Sequence, residues 1–111
     1  MCTYQHLFHD DKTGYVIRCA ACGHFQVCFG NVLVTFGEAA FRDFCFWISR
    51  WREEQYPAED MDVKAVVIPT PCEGMRLLLS VRELDQLHIM LEAADTEWRS
   101  QEMLKLFTIP S

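Results

Sequence analysis

The stretch GYVIRCAACGHFQVCFGNVLVTF, residues 14–36, carries the strongest structural signal in the chain. It contains three runs rich in β-branched and aromatic side chains, at residues 15–18, 24–29 and 32–36. Such runs favour strands, and the connections between them, CAACG and Gly30-Asn31, have the length and composition of turns. The sequence therefore predicts an antiparallel meander of three strands.

A helical pattern follows the meander and ends before Pro57. Thr35-Phe-Gly-Glu38 fits a capping box, which predicts a helix that begins near Glu38 and runs to about Gln55. Its apolar positions recur at spacings of three and four, as on one stripe of a helix: Ala40, Phe41, Phe44, Trp47, Ile48 and Trp51. We expect this stripe to pack against the sheet.

A hairpin and a second helix complete the pattern. Residues 63–68 and 75–79 predict two strands joined by a turn, and Ser80-Val-Arg-Glu83 is a second capping box. The helix after it has four inward-facing apolar residues, Leu84, Leu87, Leu91 and Ala94. It either runs unbroken to Phe107 or restarts at Thr96. The predicted fold class is therefore α+β, with a small antiparallel sheet (three-strand meander plus a hairpin) packed against two or three helices.

Length and charge limit the classes of protein to consider. The chain has 111 residues, a net charge of −6 and 50% hydrophobic residues, which fits one domain over residues 1–111. Its 10 basic residues form no run or stripe, so nucleic-acid binding is not favoured. The absence of a secretory signal pattern and of an apolar run long enough to span a membrane predicts a cytoplasmic protein. In that reducing compartment, the 6 cysteines are expected to bind metal or to be buried rather than to form disulfides.

The main chemical motif is Cys19-x2-Cys22, which lies in the predicted turn between two strands. Two thiolates at this spacing can bind one Zn²⁺, because the turn directs both sulfurs to the same side. Gly23 permits the backbone geometry that such knuckles often need. The alternative is that both thiols are simply buried, as free cysteines often are.

A structural zinc site needs two further ligands, and the N-terminal residues contain candidates for them. Cys2 and His6 have C-x3-H spacing, and a predicted strand lies between them and the CxxC motif. We therefore predict one Zn²⁺ bound by Cys2, His6, Cys19 and Cys22, in a zinc-knuckle-like subregion of about residues 1–31. His9 can substitute for His6, and His24 is a further alternative.

Two other interpretations of the cysteines would make the protein an enzyme. Cys19 and Cys22 can form a redox pair, but thioredoxin-type pairs begin a helix, whereas this pair precedes a strand. Cys72, in the turn PTPCEG, and His88, on the second helix, are a candidate catalytic dyad. The alternative is that Cys72 simply lies in an exposed turn and that His88 is a solvated histidine, with no catalytic role for either. The remaining two cysteines lie in apolar runs and are predicted to be core, Cys28 and Cys45.

Two apolar side chains fall on the polar sides of their predicted helices. Phe46 lies off the apolar stripe of the first helix, and Ile89 lies on the solvent side of the second. Exposed apolar groups can mark an interface. The sequence thus favours a non-enzymatic protein that binds a protein partner or forms a homodimer. A cysteine-based enzyme and a nucleic-acid-binding zinc knuckle are the alternatives.

The segments that stand out together are Cys2 with His6, GYVIRCAACGHFQVCFGN and, later in the chain, LLLSVRELDQL. This combination resembles a family of short, uncharacterised bacterial proteins, a domain of unknown function, over nearly the whole chain. The resemblance implies a compact cytoplasmic protein with no assigned activity, and it transfers no catalytic residues. The CxxC motif is also similar to half of a zinc ribbon, whose usual second CxxC this chain lacks.

Overall fold

The computed structural model describes residues 3–55 and 60–107. Within these residues, strands and helices follow one another along the chain as β1 (Tyr4–Asp10), β2 (Gly14–Cys19), β3 (Phe25–Phe29), β4 (Val32–Phe36), α1 (Glu38–Gln55), β5 (Val66–Pro69), β6 (Arg76–Leu79) and α2 (Val81–Phe107). Strands β1 to β4 form one antiparallel sheet in sequence order, and β5 pairs with β6 in a separate antiparallel hairpin. This arrangement confirms the predicted α+β class.

The larger sheet has four strands, whereas the sequence predicted a meander of three. The additional strand is β1, which pairs with β2 from Tyr4 to Asp10 and has an irregular register between His6 and Phe8. Such a bulge interrupts the alternation of buried and exposed side chains that identifies a strand in a sequence. Together with the polar composition of the segment, the bulge explains why the pattern did not reveal β1.

Gly14 allows β2 to approach β3 closely. Its φ of 141° is strained for other residues, and a Cβ atom there would lie 1.8 Å from the carbonyl oxygen of Cys28. The turn before it is stabilised by Asp10, whose carboxylate accepts hydrogen bonds from the N–H groups of Lys12 (2.8 Å) and Thr13 (3.0 Å). The N–H groups of Thr13 and Lys12 lower the pKa of Asp10, so the carboxylate stays ionised in this turn.

The two helices begin in different ways. Ser80 caps α2 as predicted, since its Oγ accepts the N–H of Glu83 (3.1 Å) and the Glu83 carboxylate accepts the N–H of Ser80 (2.9 Å). In α1 the Phe41 N–H donates to the carbonyl of Gly37 (2.8 Å), and Thr35 belongs to β4. The capping box predicted at Thr35 is therefore wrong, although the predicted bounds of α1 are confirmed.

Helix α1 buries a narrower face than its apolar pattern suggests, whereas α2 does not. Three residues of the predicted α1 stripe are buried, namely Phe41, Phe44 and Ile48. Trp51 packs partly against the core, whereas Ala40 and Trp47 are exposed because the stripe is wider than the surface that the rest of the fold covers. On α2, which runs unbroken to Phe107, all four predicted inner residues are buried, Leu84, Leu87, Leu91 and Ala94.

An aromatic cluster joins the larger sheet to both helices. Phe25 on β3 stacks on Phe41 of α1 with ring centroids 4.1 Å apart, and it meets Trp98 of α2 edge-on at 4.8 Å. Aromatic pairs of this kind contribute about 0.5–1.5 kcal/mol beyond the burial of their surface. The cluster holds the start of β3, and with it the CxxC turn, against the helices.

Candidate functional site

The CxxC turn closes the hairpin formed by β2 and β3. The Cys19 N–H donates to the carbonyl of His24 (2.8 Å), and the Gly23 N–H donates to the carbonyl of Cys19 (2.7 Å). Gly23 has a φ of 78°, which glycine adopts without strain. Cys19 and His24 therefore lie opposite each other, one step beyond the last strand pair of Arg18 with Phe25. Side chains at opposed positions project from the same face of a sheet.

The two thiols of the motif lie in different environments. Cys19 is buried and Cys22 is exposed. The Cys22 N–H donates to Sγ of Cys19 at 3.4 Å. A hydrogen bond to sulfur stabilises negative charge there, and the thiolate is the form of cysteine that binds zinc. One backbone N–H of the turn is thus directed at the sulfur of Cys19.

A cavity of about 270 Å³ lies beside the turn. Its lining is formed by Tyr4, Cys19, Cys22, His24, Gln26 and Thr35. His24 was an alternative ligand in the sequence interpretation, and the structure places it with the two cysteines. The hairpin register explains this placement, because His24 lies directly opposite Cys19.

His6 and His9 both lie on β1, and neither lines this cavity. His6 is paired with Ile17 and His9 with Tyr15, so the two histidines occupy successive positions along the outer face of the sheet. His6 is two residues from Tyr4, which corresponds to about 7 Å along a strand. His6 is therefore the nearer of the two to the turn, but the described backbone does not bring it into the cavity.

The remaining predicted ligand, Cys2, lies outside the described residues. Its neighbour in sequence, Thr3, contacts the turn, because the Thr3 carbonyl accepts the N–H of Ala20 at 2.8 Å. Within residues 3–55 and 60–107, no group of three or more His, Cys, Asp or Glu side chains is arranged to hold a metal ion. Cys19, Cys22 and His24 line the same cavity, but their described positions do not form such a group.

Cys72 and His88 are not brought together in the described structure. Cys72 is exposed in the turn between β5 and β6, where its thiol donates to the carbonyl of Glu73 (3.8 Å). His88 is only 8% exposed and lines a cavity between α2 and α1. The expectation of a solvated histidine is wrong, because His88 lies four residues after Leu84 on the inward side of α2.

The two cysteines predicted to be core are each only partly buried. Cys45 packs against the core, and burial raises the pKa of its thiol to about 12, with a further contribution from the Asp95 carboxylate. A thiol with this pKa is protonated at neutral pH and is a poor nucleophile. Cys28 is partly exposed on the outer face of the sheet, where it is paired with Leu33. Cys45 is therefore not activated for thiol catalysis.

Apolar side chains are exposed at several places on the surface. Phe46 and Ile89, which the sequence predicted to be exposed, each have 55% of their surface accessible. The sequence interpretation missed a more concentrated group near the end of α2, although the letters MLKLF at 103–107 carried the signal. In the described parts of the chain, no helix combines the length and apolar character needed to cross a membrane.

The fold and the turn define a small α+β protein in which a four-strand sheet presents a cysteine turn and packs against two helices. The chain matches Family of unknown function (DUF6686) over residues 1–110, and it therefore belongs to this family. Comparison with curated proteins finds no match, and comparison with solved structures also finds none. Membership agrees with the resemblance to a domain of unknown function, and it assigns no activity.

Proposed function

We propose that this protein is a non-catalytic interaction protein that forms a homodimer through the end of α2 and binds Zn²⁺ at its CxxC turn. The observation that carries the proposal is the exposed apolar end of a helix that is long for a fold of this size. A cytoplasmic location belongs to the same proposal.

The geometry of α2 makes its end available for contact. Its 27 residues correspond to about 40 Å of helix, and the described chain measures 58 × 28 × 26 Å along its principal axes. At this end, Leu106 is 80% exposed, Phe107 is 77% exposed and Met103 is 59% exposed. A concentration of exposed apolar side chains favours contact with another molecule.

The same end of α2 carries a groove that can receive these side chains. A cavity of about 420 Å³ is lined there by Arg42, Trp98, Arg99, Glu102, Met103 and Leu106. The groove and the exposed apolar side chains lie on one surface. In a dimer with a twofold axis, the apolar side chains of each copy can therefore enter the groove of the other copy. A homodimer therefore covers both sets of apolar groups without a further partner.

The expected affinity follows from the amount of apolar surface. Complete burial of a Leu, Met or Phe side chain contributes about 1.5–3 kcal/mol, and each copy supplies Met103, Leu106 and Phe107. The loss of translational and rotational freedom opposes association by about 4–15 kcal/mol. A dissociation constant of roughly 1 μM to 1 mM, equivalent to about −8 to −4 kcal/mol, lies within the range that these two opposing contributions allow.

Sedimentation velocity over a series of protein concentrations tests the homodimer. We expect the wild-type chain to change from monomer to dimer within the range of roughly 1 μM to 1 mM. Leu106→Glu should remain monomeric, because it places a carboxylate in the apolar contact. Ile89→Glu is the matched control, since it makes the same kind of change at an exposed position elsewhere on α2. A monomeric wild type, or dimerisation of Leu106→Glu equal to that of the control, contradicts the proposal.

The zinc part of the proposal is supported by the chemistry of the turn. Cys19 and Cys22 have the spacing of a zinc knuckle, and the N–H···S hydrogen bond favours the thiolate that zinc requires. We assign these two cysteines as the first pair of ligands and expect the second pair to come from Cys2, His6 and His24. Binding energy at a structural zinc site is folding energy, so the metal would stabilise the turn and β1.

Metal analysis by mass spectrometry on tag-free protein purified without chelator tests the zinc site. We expect about one zinc per chain in the wild type, and loss of zinc with a lower melting temperature in Cys19→Ser. Cys72→Ser removes an exposed thiol outside the CxxC turn, and this variant should keep the zinc content and the melting temperature of the wild type. His6→Ala and His24→Ala then identify the histidine ligand. A wild type without metal, or a Cys19→Ser variant with unchanged zinc content, rules this site out.

A further inference from the structure

The seam between α1 and α2 contains a buried histidine and a partly buried cysteine that neither the CxxC turn nor the proposed dimer uses. A cavity of about 380 Å³ lies in this seam, within the usual size range of small-ligand pockets. It is lined by Arg42, Cys45, Phe46 and Ser49 of α1 and by His88, Leu91, Glu92, Asp95 and Arg99 of α2. Spacings of three and four along each helix place these residues on two facing stripes.

The helices run antiparallel, which orders the groups along the seam. Arg52 of α1 pairs with Asp85 of α2 at 2.6 Å, and Arg42 of α1 lies over the ring of Trp98 of α2, 4.6 Å from its centroid. His88 is therefore near the Arg52 end of the seam, and Arg42 is at the other end. The cavity thus lies between the buried imidazole ring of His88 and the guanidinium of Arg42.

His88 has unsatisfied hydrogen-bonding groups. Both Nδ1 and Nε2 are buried, and neither has a hydrogen-bond partner in the described chain. Glu92 Oε1 is 3.3 Å from Nε2, but their relative orientation does not make a hydrogen bond. An unpaired buried polar group is destabilising, and a native structure that keeps one calls for a functional explanation. A leucine at this position would leave no unpaired ring nitrogen.

The charges of the cavity leave Arg42 available to an anion. Arg99 pairs with Asp95 at 3.1 Å, whereas Arg42 contacts the Trp98 ring and has no carboxylate partner within residues 3–55 and 60–107. Cys45 adds no negative charge at neutral pH, because burial raises the pKa of its thiol to about 12. An anion that enters the cavity therefore meets the Arg42 guanidinium and an uncharged thiol, with the Glu92 carboxylate also lining the space.

We propose that this cavity binds a small organic monocarboxylate, whose carboxylate pairs with Arg42 and whose hydrogen-bonding group reaches His88. A guanidinium matches the planar carboxylate with two parallel hydrogen bonds. A single negative charge suits the cavity better than the two of phosphate, because Glu92 and Asp95 line the same space and repel additional negative charge. Phe46 offers an apolar wall for the carbon skeleton of the ligand.

NMR titration of the ¹⁵N-labelled full chain tests this site. The Leu106→Ser background removes apolar surface from the proposed dimer contact without placing a carboxylate in the groove that Arg42 lines. The probes are lactate, 3-hydroxybutyrate and benzoate, with inorganic phosphate as the competing anion. We expect saturable shifts of the Arg42 side-chain N–H and the His88 ring, with a dissociation constant of about 1 mM or lower for at least one carboxylate. No saturable shift at about ten times that concentration, or equal binding of phosphate, overturns the proposal.

Matched variants separate binding from folding. Arg42→Gln should weaken carboxylate binding at least about tenfold, whereas Arg76→Gln, at an exposed position on β6 outside the cavity lining, should not. His88→Leu should abolish binding while the melting temperature stays equal or rises, because the unpaired ring nitrogens are removed. If His88→Leu binds normally and melts lower, His88 is a structural residue and the proposed site is wrong.

Discussion

Phe25→Ala is expected to weaken the contact that joins the larger sheet to both helices. Phe25 is fully buried, with Phe41 stacked on it at 4.1 Å and Trp98 edge-on at 4.8 Å. Truncation of a buried Phe to Ala costs about 3–5 kcal/mol, depending on how well the surroundings close the cavity. Phe41 of α1, Trp98 of α2 and the guanidinium of Arg18 on β2 surround this ring, and these three elements cannot all move toward the space that it leaves. We therefore expect a loss near the upper end, about 4–5 kcal/mol.

Urea unfolding followed by circular dichroism measures this loss. A domain of this size has a total stability of about 5–15 kcal/mol, so the unfolding midpoint should fall strongly while the slope stays the same. The melting temperature should drop by roughly 15–25 °C. Phe46→Ala is the control, because Phe46 is an exposed ring on α1 and its loss should cost less than about 0.5 kcal/mol. A cost below about 1.5 kcal/mol for Phe25→Ala would refute the described packing.

Two further predictions concern groups that titrate. Burial raises the pKa of Glu83, but hydrogen bonds from Lys64 and from the Ser80 N–H outweigh it and leave the pKa below its ordinary value of 4.5. The capping carboxylate therefore stabilises the fold above that pH and loses its effect as the pH falls. The free energies of unfolding of wild type and Glu83→Gln, from urea titrations, should differ at pH 7 by about 0.3–1.5 kcal/mol. This difference should shrink as the pH falls below 4.5, and a difference that stays constant would contradict this assignment. Cys45 should resist alkylation at neutral pH while exposed Cys72 reacts, as followed by peptide mass spectrometry, and equal rates would show that Cys45 is not protected.

Most of the fold was predictable because its signals are local. Strands β2 to β4 combine β-branched residues with short turns, and the capping box at Ser80 lies directly before α2. Strand β1 lacked such a signal, since its pairing with β2 depends on residues that are distant in sequence and its alternation is broken near His6. The exposure of Trp47 could not be predicted from nearby residues either, because it depends on how much of α1 the rest of the fold covers.

The candidate sites were predictable only in part for the same reason. Cys19 and Cys22 are close in sequence, so their shared turn followed from spacing alone. The position of His24 follows from the hairpin register, and the spacing of His6 from Cys2 carries no information about that register. His88 lies at helical spacing from Leu84, and this spacing could have shown that it faces inward. Nothing local to α1 or α2 could have shown that their polar stripes face each other.

The pattern of apolar residues along α2 favours a second copy over an isolated chain. The buried side chains of this helix lie between Val81 and Trp98, where the helix packs against α1 and the sheet. Beyond Trp98, large apolar residues continue to Phe107 but are mostly exposed. A solvent-exposed extension would be expected to carry polar residues in these turns. The proposed homodimer would account for both halves of the helix, because the first half packs within the chain and the second would pack between two chains. In that arrangement Arg42 lies where the dimer groove meets the cavity of His88, so a carboxylate bound there would contact a residue of the dimer interface.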